Sequence, residues 1–186
     1  KPYNFDDYLN YIEKQINVEK FYLLGHSFGG ALAMLYALRH PQKIKKLILY
    51  NPAIIRKKTW QQKFFFLIGK IFKPLEKLFP KKFIFLLKKF FYRFIIKSYD
   101  YFLFDDKMKE TFKNINQDLT QKAKEVKVQT ILLWGEKDKI TPLKNAFILK
   151  ELIPDSILIT LPGGHSFHKE DYEKFAKILK NALKDE

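Results

Sequence analysis

Phe21-Tyr22-Leu23-Leu24-Gly25-His26-Ser27-Phe28-Gly29-Gly30 is the stretch on which the fold turns. Its apolar start reads as a buried strand and its centre as a sharp turn. The residues that follow, Ala31-Leu32-Ala33-Met34-Leu35-Tyr36-Ala37-Leu38-Arg39, form a strong helix-forming run. Gly25, Ser27 and Gly29 fit G-x-S-x-G, in which a serine stands at the apex of a strand-to-helix turn. Such a turn holds its central residue in a strained conformation, and small flanking residues are expected because strand and helix approach closely there. The hydroxyl is then exposed near a helix N-terminus, where backbone N–H groups favour developing negative charge. A plainer reading of the same residues is a glycine-rich connection with Ser27 as a helix cap.

Outward from this turn the pattern continues. Pro41 stops the helix, and Leu47-Ile48-Leu49-Tyr50 reads as a second buried strand ended by Asn51-Pro52. Thr130-Ile131-Leu132-Leu133-Trp134-Gly135 is an apolar strand followed by the turn Glu136-Lys137-Asp138. Ile157-Leu158-Ile159-Thr160-Leu161 is another, followed by Pro162-Gly163-Gly164-His165.

The segment from Phe21 to Pro52 resembles the α/β-hydrolase superfamily of serine hydrolases. The resemblance implies a serine, an acid and a histidine in that chain order. It maps the acid to Asp138, in a G-x-x-D turn after the penultimate strand, and the histidine to His165, in the loop after the last strand. His165 is then the base that takes the Ser27 proton, and Asp138 holds the imidazole tautomer and stabilises the imidazolium. The backbone N–H of Phe28 is expected to form half of an oxyanion hole, and Gly25, His26, Gly29 and Gly30 complete the elbow. Plainer readings stand beside these. Asp138 also fits an ordinary turn residue, with Glu136 a competing carboxylate. His168, three residues beyond His165, reads as loop support or the start of the last helix. His26 reads as a packing residue beside the serine, and His40 as a surface residue at a helix end, where a cation suits the dipole.

Asn4 to Ile16 reads as one amphipathic helix, with Tyr8, Leu9, Ile12 and Ile16 on one face. In the resembled family several strands precede this helix, and one of their loops gives the second oxyanion donor. The resemblance therefore implies an N-terminally truncated member, with the early strands missing. Loss of one such donor costs about 10²–10³ in turnover, so these residues alone are expected to be inactive or poorly folded.

Charge and aromatic residues concentrate in one segment. Residues 56–125 hold 13 of the 19 phenylalanines and a net charge of +11 out of +15. The resemblance implies a helical cap inserted here, giving a core of 1–55 and 126–186 and a cap of 56–125. Residues 64–73 and 83–104 read as helices, the latter with Lys82, Lys89, Arg93 and Lys97 near one face and Phe83, Leu86, Leu87, Phe90 and Phe94 on another. Residues 107–124 read as a polar helical return. A basic amphipathic segment rich in aromatics suits an anionic membrane surface, and a phenylalanine-lined pocket suits an apolar acyl or aromatic ester. A solvated basic face over a packed aromatic face is the simpler alternative. No nucleic-acid-binding module is recognisable, so no nucleic-acid partner is expected.

The chain has no cysteine, which removes disulfides, thiolate metal ligands and a cysteine nucleophile. That fits a cytoplasmic protein, peripheral to a membrane at most. No uncharged apolar run reaches the ~18 residues of a transmembrane helix. No histidine and carboxylate cluster has metal-ligand spacing, so no metal or cofactor is expected. The expected architecture is α/β, a partial α/β-hydrolase fold. Parallel strands lie near 20–25, 46–50, 129–134 and 156–161, flanked by helices near 5–17, 29–39, 142–152 and 169–183. The function expected is a serine hydrolase acting on a carboxylic ester through an acyl-enzyme. The alternatives are an acyltransferase, an aminopeptidase or a carbon–carbon hydrolase of the same fold, or a non-catalytic membrane-associated module.

Overall fold

The structure, a computed structural model, describes residues 1–56, 79–80, 82–84, 86 and 104–184. Most of the segment expected to form helices at 64–73 and 83–104 lies outside the described residues. The chain divides into two compact units, Lys1–Asn4 with Lys57–Asn116, and Phe5–Arg56 with Gln117–Glu186.

The second unit is built on a four-stranded, wholly parallel sheet. Its strands are β1 (Phe21–His26), β2 (Ile44–Tyr50), β3 (Thr130–Gly135) and β4 (Ser156–Leu161), side by side in chain order. Helices α1 (Phe5–Gln15) and α2 (Phe28–Arg39) frame β1, and a 3-10 turn at Pro41–Lys43 leads into β2. The central strands are buried on both faces, which is why they read as unbroken apolar runs. Alternation sorts their side chains. Leu47, Leu49, Leu132 and Trp134 join the core beneath α1 and α2, whereas Ile48, Tyr50, Ile131 and Leu133 join a second core on the other face.

In the first unit, helix α3 (Asp106–Ile115) is capped by Asp105, whose carboxylate accepts from Met108 N at 2.6 Å. Tyr3 N donates to Thr111 Oγ1 at 3.0 Å, which ties the N-terminal residues to this helix. In the second unit the polar stretch 107–124 ends in a single turn, α4 (Thr120–Ala123).

Helix α5 (Lys144–Leu152) follows β3 and packs Ala146 and Leu149 into the first core. After β4 the expected last helix is broken in two, α6 (Phe167–Glu170) and α7 (Tyr172–Ala182). Asp171 sits at the break with φ −152°, ψ 85°, and its side chain accepts from Lys174 N at 3.0 Å. A residue that caps α7 from extended backbone cannot also continue α6. Phe167 and Ala182 are buried against Tyr50 and Leu161, closing the second core. Parallel pairing brings the carboxyl ends of all four strands to one edge, and each loop leaving that edge carries a residue of interest.

Candidate active site

Ser27 lies between β1 and α2 with φ 53° and ψ −118°. A positive φ at a residue with a Cβ is a strained conformation that the surroundings must hold in place. They do so through the backbone: Ser27 N donates to Tyr50 O at 3.1 Å, and Ser27 O accepts from Gly30 N at 3.0 Å and Ala53 N at 2.8 Å. The hydroxyl makes no capping hydrogen bond to α2, so the reading of Ser27 as a side-chain helix cap does not describe the structure. The N–H of Phe28 belongs to the first turn of α2, where backbone donors lack intrahelical partners.

Two of the elbow glycines are sterically necessary. A Cβ on Gly25 would overlap the Gly29 carbonyl oxygen and lie 2.7 Å from Ala33 Cβ, and one on Gly30 would lie 2.6 Å from Pro52 Cβ. Gly29 corrects the expectation of close approach on both sides of the serine, because a Cβ there would meet nothing within 4 Å among the described residues.

Asp138 and His165 meet. Nδ1 of His165 lies 2.7 Å from Oδ2 of Asp138, whose side chain is wholly buried. A carboxylate accepts, so Nδ1 carries the proton, and the neutral form of the ring then has its lone pair on Nε2. The remaining acceptor capacity of Asp138 is filled locally: Oδ1 takes Ile140 N at 2.7 Å and Thr141 N at 2.9 Å, and Oδ2 also takes the Thr141 hydroxyl at 2.7 Å. Glu136 points elsewhere, exposed and accepting from Thr160 Oγ1 at 2.9 Å. The Ser27 hydroxyl and the His165 ring are not hydrogen-bonded to each other among the described residues. Such contacts commonly tighten only in the substrate complex.

His26 supports the histidine loop from below. Its Nε2 is 2.8 Å from the His165 carbonyl oxygen, and its ring lies 4.6 Å from Tyr50, 4.8 Å from His165 and 5.1 Å from His168 between centroids. Burial is the largest cause holding His26 below its ordinary histidine pKa, and the bond to the His165 carbonyl opposes it. His168 N donates to the Tyr50 hydroxyl at 3.3 Å, while Glu170 accepts from Gly164 N at 3.1 Å. His40 is not a free surface residue. It pairs with Glu13 at 2.8 Å, beside the Arg39–Glu13 contact at 2.9 Å, and joins α2 to α1.

Sequence reasoning passed over Asn51, which it used only as a strand terminator. The structure places Asn51 fully buried with φ 42°, in contact with both the β3 end and the histidine loop. Its only sequence signal is its identity, since Asn tolerates left-handed backbone better than other residues with a Cβ. Thr141 was likewise passed over, and a hydroxyl three residues after an acid carries no pattern of its own.

Among the described residues, no group of three or more histidines and carboxylates could hold a metal ion, and no helix is long and apolar enough to cross a membrane.

Residues 2–81 match the family model described as the alpha/beta hydrolase fold. The abhydrolase domain-containing protein abhd-5.2 of Caenorhabditis elegans is 28% identical over 198 residues, covering 92% of this chain and 45% of that protein. The 2-hydroxy-6-oxononadienedioate/2-hydroxy-6-oxononatrienedioate hydrolase of Comamonas testosteroni is 26% identical over 190 residues, covering 90% of this chain and 64% of that one. The chain thus spans less than two thirds of the length of either relative. Among solved structures, an esterase from Exiguobacterium antarcticum superposes with a TM-score of 0.68 at 21% identity, covering all of this chain and 75% of that one. At that identity the likeness is one of fold.

Proposed function

The chain belongs to the α/β-hydrolase superfamily, and from that membership we propose that it carries the site of a serine hydrolase cleaving a carboxylic ester or related acyl compound. The observation that carries the reading is the 2.7 Å Asp138–His165 pair, set at the same sheet edge as the strained Ser27. In this reading Ser27 Oγ attacks the acyl carbon as His165 Nε2 takes its proton, and the Phe28 N–H stabilises the oxyanion. The leaving alcohol departs with the proton held on His165. Water, deprotonated by the same nitrogen, then attacks the acyl-enzyme and releases the acid and free Ser27. Asp138 keeps Nδ1 protonated and the ring oriented throughout.

Labelling with a fluorophosphonate probe tests this. The expected result is modification of Ser27 that disappears in Ser27→Ala, with peptide mass mapping to identify the site. No labelling of Ser27 in the folded full-length protein would falsify the reading. A second substrate class, a 2-hydroxy-6-oxo acid cleaved by the same residues, is supported by the Comamonas relative. Turnover of such an acid with no turnover of esters of graded chain length would select it.

The composition of 56–125 supports an apolar acyl or aromatic substrate and contact with an anionic membrane surface. Flotation with vesicles checks the second part. The chain is expected to float with phosphatidylserine-containing vesicles and not with phosphatidylcholine alone, and equal flotation with both overturns it.

A further inference from the structure

We infer that Asn51 is a positioning residue for His165, acting through the backbone of the histidine loop; the inference rests on the serine-hydrolase reading and names a part of that same site. Asn51 is completely buried, and its backbone N–H and both ends of its side-chain amide are hydrogen-bonded. Its backbone N–H donates to Leu133 O at 3.0 Å, extending the β2–β3 ladder one residue beyond β2. Its backbone oxygen lies 3.3 Å from the Thr141 hydroxyl, whose single proton goes to Asp138 Oδ2 at 2.7 Å. Its side-chain Oδ1 accepts from Gly135 N at 2.8 Å, at the root of the acid turn. Its Nδ2 donates to His165 O at 2.8 Å and reaches Gly164 O at 3.4 Å. One side chain thus holds the start of the Asp138 turn with its acceptor and the His165 backbone with its donor.

The geometry explains why the residue is asparagine. The site needs an acceptor and a donor on one short planar group, at a backbone position with φ 42°. Aspartate meets the acceptor half only, because its second oxygen would face the His165 carbonyl lone pairs. Glycine meets the backbone requirement and neither hydrogen bond. Leucine fills the space but leaves Gly135 N unsatisfied in a buried place. The other donor to the His165 carbonyl is the ring of His26, also at 2.8 Å. Two donors, one at the end of β1 and one just past β2, therefore converge on the backbone oxygen of the residue whose ring faces Asp138, and the Asn51 donor does not titrate.

The test compares the wild-type chain with Asn51→Gly and Asn51→Asp, both of which accept positive φ. Folding is read by circular dichroism, ring position by the proton resonance of His165 Nδ1, and chemistry by the rate of Ser27 modification with a fluorophosphonate. Both variants are expected to keep the fold, to lose the downfield Nδ1 proton that the Asp138 hydrogen bond gives, and to label about 10²-fold more slowly, the cost of a misplacement near 1 Å. Retention of that proton with labelling within about twofold of wild type overturns the inference, a twofold change being what a surface substitution gives. Unfolding of both variants also overturns it, since Asn51 would then be set by the fold and not by the site. A full-length protein that shows the proton but whose Ser27 never labels refutes the hydrolase reading instead. Loss or retention of the proton in the variants still decides the part of Asn51.

Discussion

Asp138 shows how much chemistry one buried side chain can organise. Its four hydrogen bonds come from two backbone N–H groups, one hydroxyl and one imidazole. In the proposed reading only the imidazole bond bears on proton transfer, and the other three fix the carboxylate so that the ring has one place to bind. Replacing the acid with its amide tests the arrangement. Asp138→Asn keeps the shape and a carbonyl acceptor, but it can present an N–H to His165 and force the wrong ring tautomer. The hydrolytic rate is expected to fall by about 10⁴-fold with the fold intact, the scale seen when a triad acid is neutralised. Glu136→Gln is the control, since that carboxylate is exposed and bonded to Thr160. Ester hydrolysis followed on both variants decides: a Glu136→Gln loss as deep as that of Asp138→Asn would mean that the acid has been misassigned.

At the scale of elements, the contact between β1 and α2 limits which residues can stand at the turn. Gly25 faces the Gly29 carbonyl and Ala33 Cβ, so a methyl group there must displace backbone. Gly25→Ala is expected to lower stability by about 1–3 kcal/mol, as overpacking of a filled core does. Gly29→Ala adds its methyl to open space and removes backbone freedom from the unfolded chain, so it is expected to leave stability level or slightly raised. Urea unfolding of the two variants measures the contrast, and equal losses would show that the two glycines are constrained alike. The motif spelled both glycines identically, yet only one has a packing reason. Strand and helix positions were legible because short apolar runs bounded by turn residues, such as Thr130–Gly135, suit a buried strand better than a helix, which needs about 10–12 residues. The break at Asp171 was not, since a capping aspartate looks like any surface carboxylate until its partner Lys174 N is located.

Across the whole sheet unit, what was legible in the sequence came from local pattern, and what was not came from convergence. The elbow, the acid turn and the histidine loop each announce themselves within a few residues. The contacts that join them span 84 residues from Asn51 to Gly135, 114 from Asn51 to His165 and 139 from His26 to His165, and no periodicity records such pairings. His26 turns this convergence into a property of the molecule. It is half-buried among Tyr50, His165, His168 and the charge of Asp138, and burial is the largest cause lowering its pKa from the ordinary 6.5. The unfolded chain then binds more protons than the folded one as pH falls below that value, so stability rises with pH through the window and is lost on acidification. The stability that neutral His26 preserves is fully present above the ordinary histidine value and declines as pH drops through it toward the lower folded value. His26→Phe keeps a ring against Tyr50 but removes the titration and the bond to the His165 carbonyl. Urea midpoints measured from pH 8 to pH 5 are therefore expected to fall steeply in the wild type. In the variant they should start lower and fall less. Parallel profiles would assign the acid sensitivity to other groups and leave His26 a packing residue alone.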